Sequence, residues 1–170
     1  MRITILGAGN IGLAAGTKWK AKGHDITFGV REPQNQKAWN AINIGAKVTT
    51  FQESMTDAEV VLVAIPFGVA DEVLKSIDVE WDGKIIIDAT NPISVSTEPF
   101  ESAAEAISAW TGSADVVKAF NTTGVGNMTN PEYNGKAIET FICGDEVASK
   151  QTVSTLAQDL GFRVVDVGGI

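Results

Sequence analysis

Three glycines near the start of the chain have the spacing of a phosphate-binding turn. Gly7, Gly9 and Gly12 follow a short apolar run and precede a helix-length segment. In such a turn the first glycine permits a sharp bend, the second lets the backbone approach a pyrophosphate, and the third lets the helix pack on the strand. The helix would also point unpaired amides and its positive dipole end at the phosphates. The candidate ligands of this turn are Gly7, Ala8, Gly9, Asn10, Ile11 and Gly12.

The surroundings of this turn make a dinucleotide site more plausible than a plain structural corner. Glycine spacing alone is weak evidence, because such turns also arise without a ligand. Here an apolar strand precedes the turn, a helix follows it, and a second strand comes within about thirty residues, as dinucleotide binding requires.

The end of the second apolar run favours NADP over NAD. An NAD site usually has an acidic residue there, whereas an NADP site has a small residue followed by arginine. Gly29 or Val30 takes the acidic position, and the guanidinium of Arg31 could fork onto a 2′-phosphate. Glu32 leaves an alternative open, because it could serve a ribose hydroxyl or pair with Arg31. Further candidate contacts are Asn35 and Lys37, although a solvated side chain is the simpler interpretation of the lysine.

Short apolar runs alternate with helix-length segments along the chain. They lack polar alternation, which predicts strands buried on both faces of a parallel sheet covered by helices. We therefore expect an α/β chain with a Rossmann-type doubly wound, mostly parallel sheet flanked by helices, forming one domain over residues 1–170. The predicted strands are 3–6, 26–28, 60–64, 85–87, 116–117, 141–143 and 163–167, and the predicted helices are 11–22, 72–77 and 146–160, with Gly23 and Gly161 as helix stops.

The loops after the fourth, fifth and sixth strands, 64–68, 88–92 and 119–124, should face the ligand. Ala89 is a candidate lining residue, and the prolines could form an apolar wall for a nicotinamide ring. Reduction of a carbonyl normally needs a proton donor such as His, Lys or Tyr near that ring. These loops offer none, so we predict no catalytic side chain and no bound metal. A flavin or deazaflavin, which accepts a hydride without strong acid catalysis, suits such a site.

Four other reactive side chains have simpler interpretations. His24 lies at the amino end of a strand, away from the predicted site. Tyr133 lies between turn-forming Asn-Pro and Asn-Gly pairs. Asp88, at a buried strand end, is expected to form structural hydrogen bonds. Cys143 has no basic neighbour in the sequence and is expected to be a packed strand cysteine.

The composition limits the partners. A formal net charge of −8 repels nucleic acid and anionic lipid unless a basic patch exists, and the sequence shows none. The single cysteine excludes an internal disulfide and fits a reducing compartment. The apolar run 3–6 is too short for a signal peptide or a membrane span. We expect a cytoplasmic protein whose partner is a small-molecule redox acceptor.

Several segments together resemble the F420-dependent NADP oxidoreductase family, which is similar to the reductase domain of the STEAP metalloreductases. The segments are 1–12, 23–31, 65–66, 88–92, 117–122 and 142–145, of which Lys118-Ala119-Phe120-Asn121 and Cys143-Gly144-Asp145 are the most specific. The resemblance implies hydride transfer between NADPH and deazaflavin (coenzyme F420) or flavin. It implies that Ala8, Gly9, Asn10 and Ile11 hold the pyrophosphate, that Val30 and Arg31 hold the 2′-phosphate, and that Ile65, Pro66, Asn91, Pro92 and Asn121 surround the nicotinamide.

The sequence departs from the family pattern in two places. Members tend to have Ser or Thr before the arginine and a basic residue after it, where this chain has Val30 and Glu32. Members also usually continue into carboxyl-terminal helices that help pair subunits as a homodimer, whereas this sequence stops at Ile170. Two alternatives stay open: a binding module that senses the nicotinamide pool, and an imine or carbonyl reductase. The second would need Lys118, whose side chain we expect to face away from the site.

Overall fold

In the computed structural model, which describes residues 1–170 with every side chain except that of Lys37, ten strands and seven helices follow one another along the chain. The strands are β1 (Arg2–Leu6), β2 (Asp25–Val30), β3 (Lys47–Thr50), β4 (Val60–Val63), β5 (Ile85–Asp88), β6 (Val116–Ala119), β7 (Glu132–Tyr133), β8 (Lys136–Ala137), β9 (Glu139–Gly144) and β10 (Arg163–Asp166). The helices are α1 (Asn10–Ala21), α2 (Gln36–Asn43), α3 (Phe51–Ser54), α4 (Phe67–Ser76), α5 (Ala103–Thr111), α6 (Val125–Thr129) and α7 (Val147–Leu160).

Eight strands form one sheet in the order β10-β9-β6-β5-β4-β1-β2-β3. All neighbouring pairs from β3 to β6 are parallel, β9 is antiparallel to β6, and β10 is parallel to β9. The chain builds outward from β1 to β3 and then returns to place β4 on the other side of β1. The predicted mostly parallel, doubly wound α/β fold is therefore confirmed, and its strand order reverses between β1 and β4.

Apolar side chains cover both faces of the sheet, as the continuous apolar runs predict. On one face Leu62 and Val117 pack with residues of α1 and α7. On the other face Val61 and Val63 pack with residues of α4 and α5. Adjacent residues of one strand thus enter different core clusters, which explains why these strands show no polar alternation.

Glycines end the first and last helices in the way the sequence predicts. Gly23, after the last turn of α1, has a φ of +88°, and Gly161, the C-cap of α7, has a φ of +99°. Both values lie in the left-handed region that glycine adopts without a Cβ penalty. The indole nitrogen of Trp19 donates to the carbonyl of Leu156 at 2.8 Å, which joins the last turn of α1 to α7.

Several element predictions need correction. Helix α4 begins at Phe67, five residues before the predicted start, directly after Pro66. Elements β3, α2, α3, α5, α6 and the β7–β8 hairpin were not predicted as elements. Strand β9 runs opposite to β6, so the turn at Asp145 lies at the edge of the sheet away from the carboxyl end of β1.

Candidate functional site

A cavity of about 660 Å³ lies at the carboxyl edge of the sheet, where the strand order reverses. Its walls come from the segments that follow β1, β2, β4 and β5. This is the position at which open α/β sheets bind ligands. Of the predicted site residues, those that line the cavity are Gly7, Ala8, Gly9, Asn10, Ile11, Val30, Arg31, Asn35, Ile65, Pro66, Ala89 and Asn91.

Glycine is present at the three positions of the turn for different reasons. Gly7 has a φ of +104°, and a Cβ there would lie 2.7 Å from the carbonyl oxygen of Ala64. A Cβ on Gly12 would overlap the carbonyl oxygen of Gly7, so Gly12 packs the helix on the turn and does not itself line the cavity. These two glycines are required by the fold, which agrees with the roles predicted for the first and third positions.

Gly9 is the glycine that the fold does not require. Its φ is −80°, which any residue can adopt, and a Cβ built on it meets no atom within 4 Å. Because Gly9 lines the cavity, that open space belongs to the cavity itself. A missing side chain here leaves room for a group lying directly against the backbone, which is the fit that a pyrophosphate needs.

Helix α1 begins beside this open space without a side-chain cap. Gly9 is its N-cap residue and provides no side-chain acceptor, and the first intrahelical bond runs from the amide of Leu13 to the carbonyl of Gly9. The amides of Asn10 and Ile11 therefore precede the hydrogen-bonded part of the helix. Together with the helix dipole they produce a positive potential that suits an anion, and no acidic residue lies in the first turn to oppose it.

Strand β2 ends at the cavity, at the position predicted to contact the ribose of the dinucleotide. Val30 is the last residue of β2, so it takes the place where an NAD site has an acidic side chain. Arg31 and Glu32 follow and are both exposed. The described residues form no ion pair between them, so the pairing considered from the sequence is not present.

A smaller recess of about 260 Å³ adjoins the cavity at this end. It is lined by Val30 and Arg31 on one side and by residues of α3 and α4 on the other. Asn35 lines the main cavity nearby, whereas the side chain of Lys37 lies outside the described residues. The guanidinium thus lies beside a space large enough for a phosphate and a ring, as a 2′-phosphorylated adenosine would require.

The opposite end of the cavity is mainly apolar, with Thr90 and Asn91 as its polar residues. Ile65 and Pro66 enter from the segment between β4 and α4, and Val69 enters from α4 itself. Ala89 and the next two residues enter from the segment after β5. Such a wall can hold a flat ring by contact while excluding water from one of its faces.

Pro92 and Asn121, predicted beside the nicotinamide, do not line the cavity. Asn121 contacts a lining residue instead: its carbonyl accepts a hydrogen bond of 2.8 Å from the side-chain amide of Asn91, which does line the cavity. The preceding residue, Phe120, has a φ of +65°, which is uncommon for a bulky residue. Its buried ring packs against Trp19 and Phe162. This packing stabilises the backbone conformation at Phe120, which positions Asn121.

An ion pair links the carboxyl ends of β5 and β6. Lys118 Nζ lies 2.7 Å from a carboxylate oxygen of Asp88, and the other oxygen of Asp88 accepts from the amide of Thr90 at 2.8 Å. The structural role predicted for Asp88 is confirmed. Lys118 does not line the cavity, in agreement with the expected orientation of its side chain.

The other reactive side chains lie away from the cavity. His24 Nε2 is 3.0 Å from a carboxylate oxygen of Asp159 at the amino edge of the sheet, and Tyr133 is 73% exposed in the hairpin. Cys143 lies half-buried in β9, and burial raises the pKa of its thiol although the nearby Lys118 lowers it in part. A thiol with a raised pKa is poorly ionised, which supports the packed-cysteine interpretation.

Six lining residues were not singled out from the sequence: Ala38, Phe51, Ala64, Val69, Val73 and Thr90. Phe51 and Val73 belong to helices whose starts were not predicted, so no sequence position suggested that they reach the cavity. Thr90 stood within a predicted site loop, and its hydroxyl was the signal that could have identified it. Among the described residues, the lining contains no His, Lys, Tyr or Cys.

Comparisons with known proteins identify similar sequences and a similar solved structure. A model of the family described as NADP oxidoreductase, coenzyme F420-dependent, matches residues 2–92. The F420-dependent NADP reductase of Methanothermobacter marburgensis is 26% identical over 196 residues, covering all of this chain and 85% of that protein. A crystal structure from Arthrobacter sp. FB24, described as a candidate F420-dependent NADP reductase, superposes with a TM-score of 0.88 at 27% identity, covering 99% of this chain and 85% of that one.

A third similarity is to a part of a longer protein. Metalloreductase STEAP3 of Rattus norvegicus is 29% identical over 170 residues, which is 99% of this chain but 34% of that protein. The chain thus spans about a third of the length of the curated STEAP relatives it matches. Within the described part of this chain, no helix has the length and apolarity needed to cross a membrane.

Proposed function

The chain belongs to the family of coenzyme F420-dependent NADP oxidoreductases, and we propose that it transfers a hydride between NADP(H) and a deazaflavin or flavin ring. The observation that carries this proposal is the order of chemistry along one cavity. Neighbouring strands place these groups in order: an exposed arginine after β2, an uncapped helix start at Gly9 after β1, and the apolar residues Ile65 and Pro66 after β4. Phosphorylated ribose, pyrophosphate and nicotinamide require those surroundings in that order.

The phosphates are bound by backbone amides of α1 and by Arg31. The amides at the start of α1 donate to the pyrophosphate, whose approach is possible because Gly9 has no Cβ. Arg31 supplies a planar, permanently charged donor set for the 2′-phosphate, and Val30 leaves the acidic position empty. Glu32, directly after, weakens the positive potential there, so we expect a preference for NADP over NAD that is clear but not absolute.

The chain's contribution to the chemistry is orientation and exclusion of water. When bound, the dihydronicotinamide would supply a hydride, which carries both electrons of the reduction, and one proton from solvent would complete the reduced acceptor. Ile65 and Pro66 line the end of the cavity assigned to the ring, where they would exclude water from it. Since the described lining holds no His, Lys, Tyr or Cys, catalysis comes from holding two flat rings at reacting distance.

The acceptor is proposed to be a ring that needs no acid catalyst from the protein. Both a deazaflavin and a flavin meet this condition, and a relative over the full length of this chain is an F420-dependent NADP reductase. An imine or carbonyl reductase is less well supported, because Lys118, the one lysine considered for it, is paired with Asp88 outside the cavity. Cytoplasmic location and a homodimer remain predictions from the sequence and its family resemblance.

Rapid mixing under anaerobic conditions tests the proposal. Protein and NADPH are mixed with coenzyme F420, FMN, FAD or a ferric chelate, and the absorbance of NADPH is followed against a protein-free control. We expect oxidation of NADPH with the deazaflavin or a flavin, and slower oxidation of NADH. Tight binding of NADPH without turnover with any acceptor would instead support the module that senses the nicotinamide pool.

A further inference from the structure

The carboxylate of Asp88 is completely buried at the end of β5. A buried charge is costly unless it is paired and hydrogen-bonded. Both of its oxygens are occupied: one accepts from the Thr90 amide at 2.8 Å, and the other contacts Lys118 Nζ at 2.7 Å. Asp88 and Lys118 are register partners on adjacent parallel strands, so the sheet itself places the two groups side by side.

Lys118 also holds the main chain beyond the strand. Its ammonium donates to the carbonyl of Thr90 at 2.5 Å, and its side chain is 15% exposed. Amide and carbonyl of Thr90 are therefore both held by this ion pair, one by each partner. The segment after β5 is fixed at the residue where it enters the cavity wall.

A second link extends the same arrangement. The side-chain amide of Asn91 donates to the carbonyl of Asn121, which joins the segments after β5 and β6 one residue beyond the ion pair. Thr90 and Asn91 both line the apolar end of the cavity. The hydroxyl of Thr90 is buried and has no hydrogen-bond partner among the described residues, so its main chain is held by Asp88 and Lys118 and not by its own side chain.

We propose that Lys118 and Asp88 are positioning residues for the nicotinamide ring. This inference rests on the proposed function, since it assigns the apolar end of the cavity to that ring. Neither residue meets the ring; they act by fixing the main chain of Thr90 and Asn91 against which it lies. The phosphate contacts come from α1 and Arg31 instead, so loss of the pair should disturb the ring far more than the affinity of the whole dinucleotide.

The test uses a double variant, because removing one charge would strand the other inside the protein. Asp88→Asn combined with Lys118→Met is neutral and close in volume. Lys118→Arg, which keeps the charge, is the conservative variant. Lys84→Met is the matched control, since Lys84 Nζ is also part-buried and donates to a backbone carbonyl, that of Ala58, at the amino edge of the sheet.

We expect the double variant to bind NADPH with a dissociation constant within about threefold of the parent, because the phosphates are held elsewhere. The turnover number should fall by about tenfold or more, because the ring loses its orientation in the reacting complex. Lys118→Arg should recover part of that loss, and Lys84→Met should match the parent. An unchanged turnover number in a folded double variant, or an equal loss in Lys84→Met, would overturn the proposal.

A second measurement keeps this inference separate from the proposed function. The fluorescence emission of bound NADPH reports the surroundings of the dihydronicotinamide and needs no acceptor. We expect the double variant to shift that emission toward the spectrum of free NADPH while Lys84→Met leaves it unchanged. If the parent shows no turnover with any acceptor, the shift still tests the positioning role; an unshifted spectrum overturns it.

Discussion

The carbonyl oxygen of Gly7 occupies the space that the Cβ atom of any other residue at position 12 would need. The same hypothetical Cβ would lie 2.9 Å from a methyl carbon of Ile5. Helix α1 can therefore approach the turn after β1 only with glycine at this position. The close approach places the start of the helix beside the cavity.

Replacement of Gly12 is expected to reduce stability. In Gly12→Ala the helix must move away from the turn, and forced overpacking of this kind costs about 1–3 kcal/mol. Chemical denaturation followed by circular dichroism measures the change in the free energy of unfolding. A variant as stable as the parent would show that the turn accommodates a side chain and that the close approach is not required.

Replacement of Gly9 is expected to affect binding instead of folding. Gly9→Ala places a methyl group in open cavity space, with a loss of stability of about 1 kcal/mol or less for alanine at an N-cap. We expect the dissociation constant of NADPH, measured by titration calorimetry, to rise by about tenfold or more, because the methyl group occupies the pyrophosphate position.

Gly124→Ala is the matched control for that variant. Gly124 is also an N-cap residue with extended backbone, at φ −83°, and a Cβ on it meets no atom within 4 Å, but it does not line the cavity. Its alanine variant should bind NADPH as the parent does. Equal weakening in both variants would count against a pyrophosphate at Gly9.

Removal of the Arg31 guanidinium is expected to abolish the preference for NADPH. A hydrogen bond to a charged group contributes about 1.5–3 kcal/mol, so Arg31→Ala should weaken NADPH by about tenfold to a hundredfold while NADH changes little. Parallel titrations with both cofactors measure this. Arg163→Ala removes an exposed arginine at the far edge of the sheet and should change neither. Tighter binding of NADH by the parent, or an equal effect of Arg31→Ala on both cofactors, contradicts the 2′-phosphate assignment.

The thiol of Cys143 is expected to react slowly at neutral pH. Burial disfavours its charged form and raises its pKa, so less thiolate is present at any given pH than in an unperturbed cysteine. The rate of alkylation should remain low at neutral pH and rise only at a pH above the midpoint measured for a free cysteine peptide. A midpoint below that of the peptide would mean that Lys118 outweighs burial and would contradict the packed-cysteine interpretation.

Local signals in the sequence were sufficient to predict the glycine turn and the start of α1. The turn after β1 is defined by residues within one stretch, where glycine spacing and the flanking strand and helix agree. The Asn-Gly pair was also informative: Asn134 and Gly135 have φ values of +51° and +75° and form the tight turn of the hairpin. Such features depend on neighbours in the chain, which is why they can be predicted.

Some missed elements did carry a local signal. Ser102 caps α5 by accepting from the amide of Glu105, and Thr50 and Glu53 form a capping box at the start of α3. Both have the serine or threonine followed three residues later by glutamate that marks a helix start. Strand β3, by contrast, is four residues of largely polar sequence at the edge of the sheet and shows little apolar pattern.

The remaining features depend on contacts between distant residues. Apolar runs do not reveal strand direction, so the reversal of β9 against β6 could not be predicted from periodicity. The bonds from Lys118 to Asp88 and Thr90 span about thirty residues and exist only because β5 and β6 are neighbours in register. Phe51 and Val73 likewise reach the cavity through the packing of helices.

Transfer of deuterium from NADPH to the acceptor would test hydride transfer at this cavity most directly. NADPH labelled at C4, prepared separately on each face of the ring, is incubated anaerobically with the protein and coenzyme F420. The hydrogen that a deazaflavin receives is bound to carbon and does not exchange with water, so mass spectrometry of the reduced product can detect the label. We predict deuterium in the product from one of the two labelled forms and not from the other. Reduced product without deuterium from either form, or no reduction with any deazaflavin or flavin, would contradict hydride transfer at this cavity.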